Sequence, residues 1–318
     1  MSDVRTLPDV DPDDPNGADA VALSILPPAT APHGGSGGSG RRLAGRSATY
    51  LLLTVVATLT LLPLAYALFA SFKSLDELLQ SGAALLPKVW DLSGYRDAIA
   101  VADFGTYLRN SVLVVLGVVA YDAVASSMLG YVMARKVVPG MRYYQGLLGV
   151  TLFVGVGTAT LYPRYLIAET LGLGGLVGII LVEISSISVI HSFLVMSFVS
   201  SLPTEIEDAA RVDGCGLFRS YLWVTLPLMR PVLATTTVLA FQHGWNNFEI
   251  PFVFTLARPK LRTLVIGVYE LRVAGGTDTP PYNLMLAGAM LILIPIVVVF
   301  IALQRYFVRG LADGALKG

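Results

Sequence analysis

Six long stretches of this chain are apolar enough to lie in lipid, and they leave it few folds to choose from. They run over 48–71, 110–134, 143–167, 175–199, 231–254 and 283–307. A helix needs roughly 20 apolar residues to cross the hydrocarbon core of a bilayer. With no water there, a lone span satisfies its backbone only as a helix. The expectation is an all-α membrane protein with six transmembrane helices. Composition agrees: of 318 residues, 54% are hydrophobic and 14% charged, against about a quarter charged in a soluble domain.

Residues 1–47 are different material. Asp3, Asp9, Asp11, Asp13, Asp14 and Asp19 are spaced by Pro and Gly, and Gly34 to Gly40 is a Gly/Ser run. Such a segment buries too little apolar surface to offset the entropy of ordering it, so it reads as a disordered tail. Its acidic start does not suit a signal peptide. Orientation follows Lys and Arg in the short flanks. Arg41, Arg42 and Arg46, then Arg135, Lys136 and Arg142, then Arg211, Arg219 and Arg230, and last Arg305, Arg309 and Lys317 alternate with the spans. Both termini and the 200–230 connection are thereby expected in the cytoplasm. Arg258, Lys260, Arg262 and Arg272 oppose this from the predicted outer side and are outvoted. The outer connection from Phe72 to Arg109 reads either as a landing surface or lid, or as a solvated connector.

Several classes drop out. Lysines plus arginines equal aspartates plus glutamates, so there is no basic footprint for nucleic acid. Cys215 is the single cysteine, which excludes an internal disulfide and cysteine-held zinc. His33, His191 and His243 are far apart, so no His-Glu-x-x-His site for an intramembrane metalloprotease exists. No Gly-x-x-x-x-Gly-Lys-Ser/Thr loop is present to cradle phosphates. No catalytic residue, metal or cofactor is expected.

Between the fourth and fifth stretches lies a polar island, 205–231, too polar to cross a membrane. Thr204 and Glu207 have capping-box spacing, and Glu205, Glu207 and Asp208 suit the first turn of a helix. Ala209 and Ala210 favour helix and admit close approach. Gly214 supplies a turn. A second short helix is expected over Leu217–Val224, with Pro227 and Pro231 ending the island and starting the fifth span. The segment suits a protein contact without naming a partner; an ordinary amphipathic loop is the plainer alternative.

The run Asp208-Ala209-Ala210-Arg211-Val212-Asp213-Gly214, followed by Leu226-Pro227 and Pro231, resembles the EAA signature of membrane subunits of binding-protein-dependent ABC importers. Asp208 stands where that signature usually has Glu, and Cys215 where it usually has Ala. Ala134-Arg135-Lys136-Val137-Val138-Pro139-Gly140, Trp245-Asn246-Asn247-Phe248 with Pro251, and Gln304 to Leu311 with Gly314 to Gly318 resemble the sugar-importer branch and its maltose-permease-like subunit, over about 48–318. The resemblance implies a permease subunit, not an enzyme, in a prokaryotic cell membrane. Its implied partners are a second homologous permease, two cytoplasmic ATPase subunits and an extracytoplasmic sugar-binding protein. The island becomes a coupling helix: Glu207, Asp208, Ala209, Ala210, Arg211, Asp213 and Gly214 would meet an ATPase. A C-terminal tail made flexible by Gly310, Gly314 and Gly318 would reach the same side. A permease for another solute, such as phosphate or a peptide, would share the island.

Ionisable groups inside a membrane are costly and mark function. Gln242, Trp245, Asn246 and Glu249 fall at i, i+3, i+4 and i+7, one helical face, and an amide, an indole and a carboxylate on one stripe suit a sugar or a polar helix–helix seam. His243 points elsewhere and is expected to be packed; Glu183 is expected near the outer entrance. Asp122 either pairs with His191 at similar depth or, protonated, bonds a neighbouring backbone group or hydroxyl.

Overall fold

A computed structural model describes residues 38–80, 84–153, 157–273 and 279–315, with side chains placed for 49–80, 84–153, 157–184, 189–272 and 279–304. Residues 1–37 of the tail expected over 1–47, and 316–318, lie outside the described residues. The chain divides into two units, 1–61 and 62–318. The described residues are helical throughout, without a strand.

The first helix, α1 (Gly38–Ala70), starts ten residues ahead of the expected span. The connection after α1 is folded rather than bare. It carries α2 (Leu75–Gln80) and α3 (Ser93–Val101). Phe72 packs its ring 5.2 Å from both Trp90 and Tyr95. The Tyr95 hydroxyl lies 2.6 Å from Ser71 Oγ, and the buried Lys73 donates to the Ala84 carbonyl.

The helix α4 (Phe104–Ala134) has 31 residues and is about 46 Å long at roughly 1.5 Å per residue. It is the axis of the larger unit. Val114 and Val118 join Ile179, Val182, Ile250 and Phe254 in one core cluster. Val115 packs with Trp245 and Leu264, and Tyr131 with Val195, Val199, Tyr221 and Met229. Lipid tails are as apolar as these side chains, so close contact rather than water exclusion holds such helices together. Gly130 is the clearest case: a Cβ there would meet Val195 at 2.6 Å and the Ser192 carbonyl oxygen at 2.9 Å.

Two expected spans are not single helices. Over 143–167 the chain forms α5 (Met141–Thr151) and α6 (Leu161–Thr170), with 154–156 outside the described residues. The fourth stretch is α7 (Leu176–Ser200), bent by 50° between its 176–184 and 189–200 parts. The fifth breaks into α10 (Arg230–Asn246) and α11 (Glu249–Thr255). Asn247 turns extended at the break, and its Oδ1 accepts the Ile250 N–H. Pro251 then sits in the first turn of α11, where its missing N–H costs no helical bond.

Between α7 and α10 come α8 (Glu205–Val212) and α9 (Leu217–Leu228), which meets α10 at 79°. The turn of α9 over Tyr221–Thr225 is a π-helix. It lies just before Pro227, whose ring disfavours a regular bond four residues back. Pro231 opens α10 as expected. A further helix, α12 (Leu264–Glu270), leads to α13 (Tyr282–Ala315). That last helix runs on through Gly310 and Gly314, so the expected flexible tail is helical there. Among the described residues three helical segments, Thr49–Ala70, Phe104–Ala134 and Tyr282–Gln304, are long and apolar enough to cross a membrane; counting each of two bent helix pairs as one span gives up to five.

Candidate functional site

The island's helix presents two faces. Glu207 and Ala210 are buried, while Asp208, Ala209, Arg211, Asp213 and Gly214 are exposed and Val212 is 88% exposed. The expected capping box does not form, since Thr204 makes no side-chain cap bond. Glu207 instead turns inward. Its Oε1 accepts Arg135 Nε at 2.8 Å and Thr225 Oγ1 at 3.1 Å, and its Oε2 accepts the Tyr131 hydroxyl at 3.1 Å. Charge-assisted bonds of this kind are the strong ones, and they satisfy a carboxylate that would otherwise be buried at high cost. Asp208 pairs only along its own helix, with Arg211 at 2.9 Å. Gly214 sits at φ +84°, and a Cβ there would meet nothing within 4 Å.

The far end of α4 is tied as well. Asn110 Nδ2 donates to the carbonyls of Lys260 and Arg262 at 2.9 and 3.0 Å, and Ser111 Oγ accepts the Leu264 N–H. Three of the four opposing cations of that connection have local partners. Arg258 pairs with Glu169, Arg262 with Glu270, and Arg272 lies 4.6 Å over the Tyr269 ring. The Arg258 guanidinium, hydrogen-bonded to it, holds the Glu169 carboxyl below its ordinary range.

Within the bundle, a cavity of about 600 Å³ is lined by Leu239, Gln242, His243, Asn246, Asn247, Phe248 and Glu249. Three of the four stripe residues therefore meet. Trp245 does not join them. It is 3% exposed, stacked on Phe241 at 5.5 Å, and its indole N–H donates to the Ile292 carbonyl at 3.1 Å. The helical break after Asn246 also takes Glu249 off the single stripe and brings Asn247 and Phe248 onto the wall, which regular periodicity misses.

The expectations for His243 and Glu183 change. His243 is not packed away: its side chain is 45% exposed, and it lines this cavity and a second, mostly apolar one of about 690 Å³ with His191, Leu152, Ile190 and Phe193. Glu183 does not line an entrance. It is fully buried, with Oε2 3.3 Å from His243 Nε2. Asp122 takes the paired alternative, 2.9 Å from His191 Nδ1. Neither contact is an in-line hydrogen bond, since the oxygens of Asp122 and Glu183 accept none. Among the described residues no cluster of three His, Cys, Asp or Glu side chains is arranged to hold a metal ion.

Comparison with known proteins fits this geometry. The arabinooligosaccharides transport system permease protein AraQ of Halalkalibacterium halodurans is 31% identical, over 84% of this chain and 96% of that one. The diacetylchitobiose uptake system permease protein NgcG of Streptomyces coelicolor is 29% identical, over 88% and 91%. The melibiose/raffinose/stachyose import permease protein MelC of Bacillus subtilis is 26% identical, over 84% and 95%. A solved bacterial ABC transporter involved in the import of the acidic polysaccharide alginate has the same fold, with a TM-score of 0.71 at 23% identity over 85% of this chain and 98% of that one. The family described as binding-protein-dependent transport system inner membrane component matches residues 126–313, and the chain belongs to it.

Proposed function

We propose that this chain is the carbohydrate-translocating permease subunit of an ATP-driven importer, and that α8 is its coupling helix. The observation that carries the reading is the division of α8 between an anchored face and a free one. Glu207 fastens it to α4, while Asp208, Ala209, Arg211, Val212, Asp213 and Gly214 face outward. A helix gripped on one side and bare on the other suits passing a partner's movement inward, because coupling between distant sites needs a rigid element that both can bias. The partners are a second homologous permease, two ATPase subunits against α8 on the cytoplasmic side, and an extracytoplasmic binding protein that delivers the saccharide. Both termini then lie in the cytoplasm. Six crossings follow if α5 with α6 makes the third and α10 with α11 the fifth.

The saccharide part of the reading rests on the cavity and the relatives' names. Gln242, Asn246 and Asn247 offer amides to hydroxyl groups, Phe248 an aromatic face to C–H groups, and Glu249 an acceptor. Trp245 is left out of the contact set. The test is reconstitution with the neighbouring transport genes' products. Uptake of one oligosaccharide, with ATP hydrolysis stimulated by its loaded binding protein, is expected. Failure to co-purify with any ATPase subunit overturns the coupling role.

A further inference from the structure

A mostly apolar groove of about 570 Å³ lies between α4 and the corner where α9 meets α10. Val124, Ser127 and Met128 of α4 form one wall, and Phe218 and Leu222 of α9 the other. Arg230, the first residue of α10, is the one charged side chain that lines it. Its guanidinium forms no ion pair or hydrogen bond among the described residues. The floor is firmly held. Tyr221, at the start of the π-helical turn, has its hydroxyl 2.8 Å from Ser127 Oγ and its ring 5.2 Å from Tyr131. Val124 is 58% exposed, so the groove opens outward from α4 and not into the bundle.

The groove lies where a bilayer changes character. The 31 residues of α4 make a helix about 46 Å long, against roughly 30 Å of hydrocarbon. A centred helix of that length overhangs the hydrocarbon by about 8 Å at each end. Residues 123–128 lie about 9–17 Å short of Ala134 at roughly 1.5 Å per residue, just inside the apolar layer. The 79° angle between α9 and α10 lays α9 along the membrane surface where α10 with α11 crosses it. Leu217, Phe218, Leu222 and Trp223 of α9 are exposed, Trp223 by 78%. Such side chains suit the boundary between headgroups and acyl chains, where indole rings concentrate.

Charge selects the occupant. Segment 216–233 carries Arg219 and Arg230 and no carboxylate. On the elements packed against it, Asp122 and Glu183 face histidines inside the bundle. Glu207 is taken by Arg135 and Asp208 by Arg211, while Glu205 and Asp213 stand exposed on α8. An arginine at this depth is costly without a counter-ion. A lipid phosphate supplies one, and its oxygens match the guanidinium fork. We propose that the groove binds an anionic phospholipid of the leaflet on the α8 side. One acyl chain lies against Val124, Met128, Phe218 and Leu222, and the phosphate sits at Arg230. The site rests on the crossing by α10 and α11, not on the coupling role of α8.

The test compares phosphatidylglycerol with phosphatidylcholine, each carrying a diazirine midway along one acyl chain. Each is placed in nanodiscs holding the full chain with the subunits it retains. After irradiation the labelled residues are mapped by mass spectrometry. Label is expected within 123–128 and 218–233, about fivefold stronger from phosphatidylglycerol, the scale of one basic side chain at an anionic surface. Arg230→Gln brings the two lipids to parity there. Arg219→Gln, the same loss of charge off the groove wall, keeps the preference. Equal labelling by the two lipids in the unaltered chain, or equal losses from the two substitutions, overturns the site in favour of general surface attraction. A groove labelled by neither lipid also overturns it and leaves protein, such as a second permease, as its cover. The first comparison needs no variant, and none of the readouts involves an ATPase. Failure of the coupling role is therefore told apart from failure of the lipid site.

Discussion

Arg135, at the C-terminal end of α4, and Glu207, in α8, are joined at 2.8 Å through both Nε and a terminal nitrogen of the guanidinium. The pair is 72 residues apart in sequence and almost wholly enclosed, with side chains 10% and 4% exposed. It makes the central helix of the larger unit continuous with the exposed helix. Movement of α8 must drag α4, or break this pair.

Breaking it from one side leaves an uncompensated charge in an enclosed site. Glu207→Ala is therefore expected to destabilise the docking of α8 on α4 by about 3–5 kcal/mol. Replacing both partners by apolar residues of similar size is expected to be near neutral for folding. Hydrogen exchange across 203–216 separates the two cases: fast exchange in the single variant, protection in the double one. In the double variant ATP hydrolysis and uptake are expected to part company, because the tie that transmits movement is gone while the fold stands. Retention of full coupling in the double variant argues that the pair is structural only.

Gly214 gives a second, independent handle. Its φ of +84° is costly for other residues, yet a Cβ would touch nothing in the chain. Gly214→Ala is thus expected to cost only about 1 kcal/mol of local stability through its backbone. A bulky replacement such as Gly214→Trp starts from a Cβ that meets nothing within 4 Å. Any further loss must come from a partner that occupies the open space. The expected outcome is a folded permease that no longer retains its ATPase subunits on affinity purification. If uptake and stimulated ATP hydrolysis both survive that change in a folded complex, α8 is not the coupling surface.

The island was legible in sequence because its signals are local: acidic first turn, paired alanines, turn glycine, closing prolines. So was the all-helical class, since apolar length alone demands helices in lipid. The use of Glu207 was not legible. Capping-box spacing predicted a bond to its own backbone, but Arg135, Tyr131 and Thr225 together offer more to a carboxylate, and nothing in a linear pattern records that they converge. The cavity was half legible. Periodicity found Gln242, Asn246 and Glu249 but extended a regular helix through Asn247, where the chain turns extended and the amide oxygen accepts the Ile250 N–H instead. Trp245 and His243, on the regular helix before that break, take roles opposite to those expected because the side chains around them, not their spacing, decide what they meet.

Trp245 and Asn246 are neighbours with separable roles. Trp245→Phe removes the indole donor to the Ile292 carbonyl and keeps most of the stacked area. It is expected to lower stability by about 1 kcal/mol and leave the half-saturating saccharide concentration unchanged. Asn246→Ala and Gln242→Ala touch the cavity wall, so they are expected to raise that concentration several-fold at unchanged melting temperature. Uptake kinetics set beside thermal unfolding in the same membranes check both. An altered half-saturating concentration in Trp245→Phe would return the indole to the substrate's path.

The Glu169–Arg258 pair predicts an acid-sensitive junction between α6 and the segment after α11. Arg258 hydrogen-bonds Glu169, with Nη2 2.9 Å from Oε2, and that bond lowers the Glu169 carboxyl from its ordinary value of 4.5. A carboxyl lowered in the folded state contributes stability that is fully present above its unfolded value and is lost as pH falls through the folded one. The junction is therefore expected to hold unchanged from neutral pH down to about 4.5 and to loosen below it. Both side chains are partly open to solvent, so the effect is local and weakens in high salt. Hydrogen exchange at 169–175 and 256–262, corrected for its intrinsic pH dependence, reads it directly. Arg258→Gln is expected to loosen the junction at neutral pH and to remove the acid step. An acid step that persists in that variant assigns it to another carboxylate.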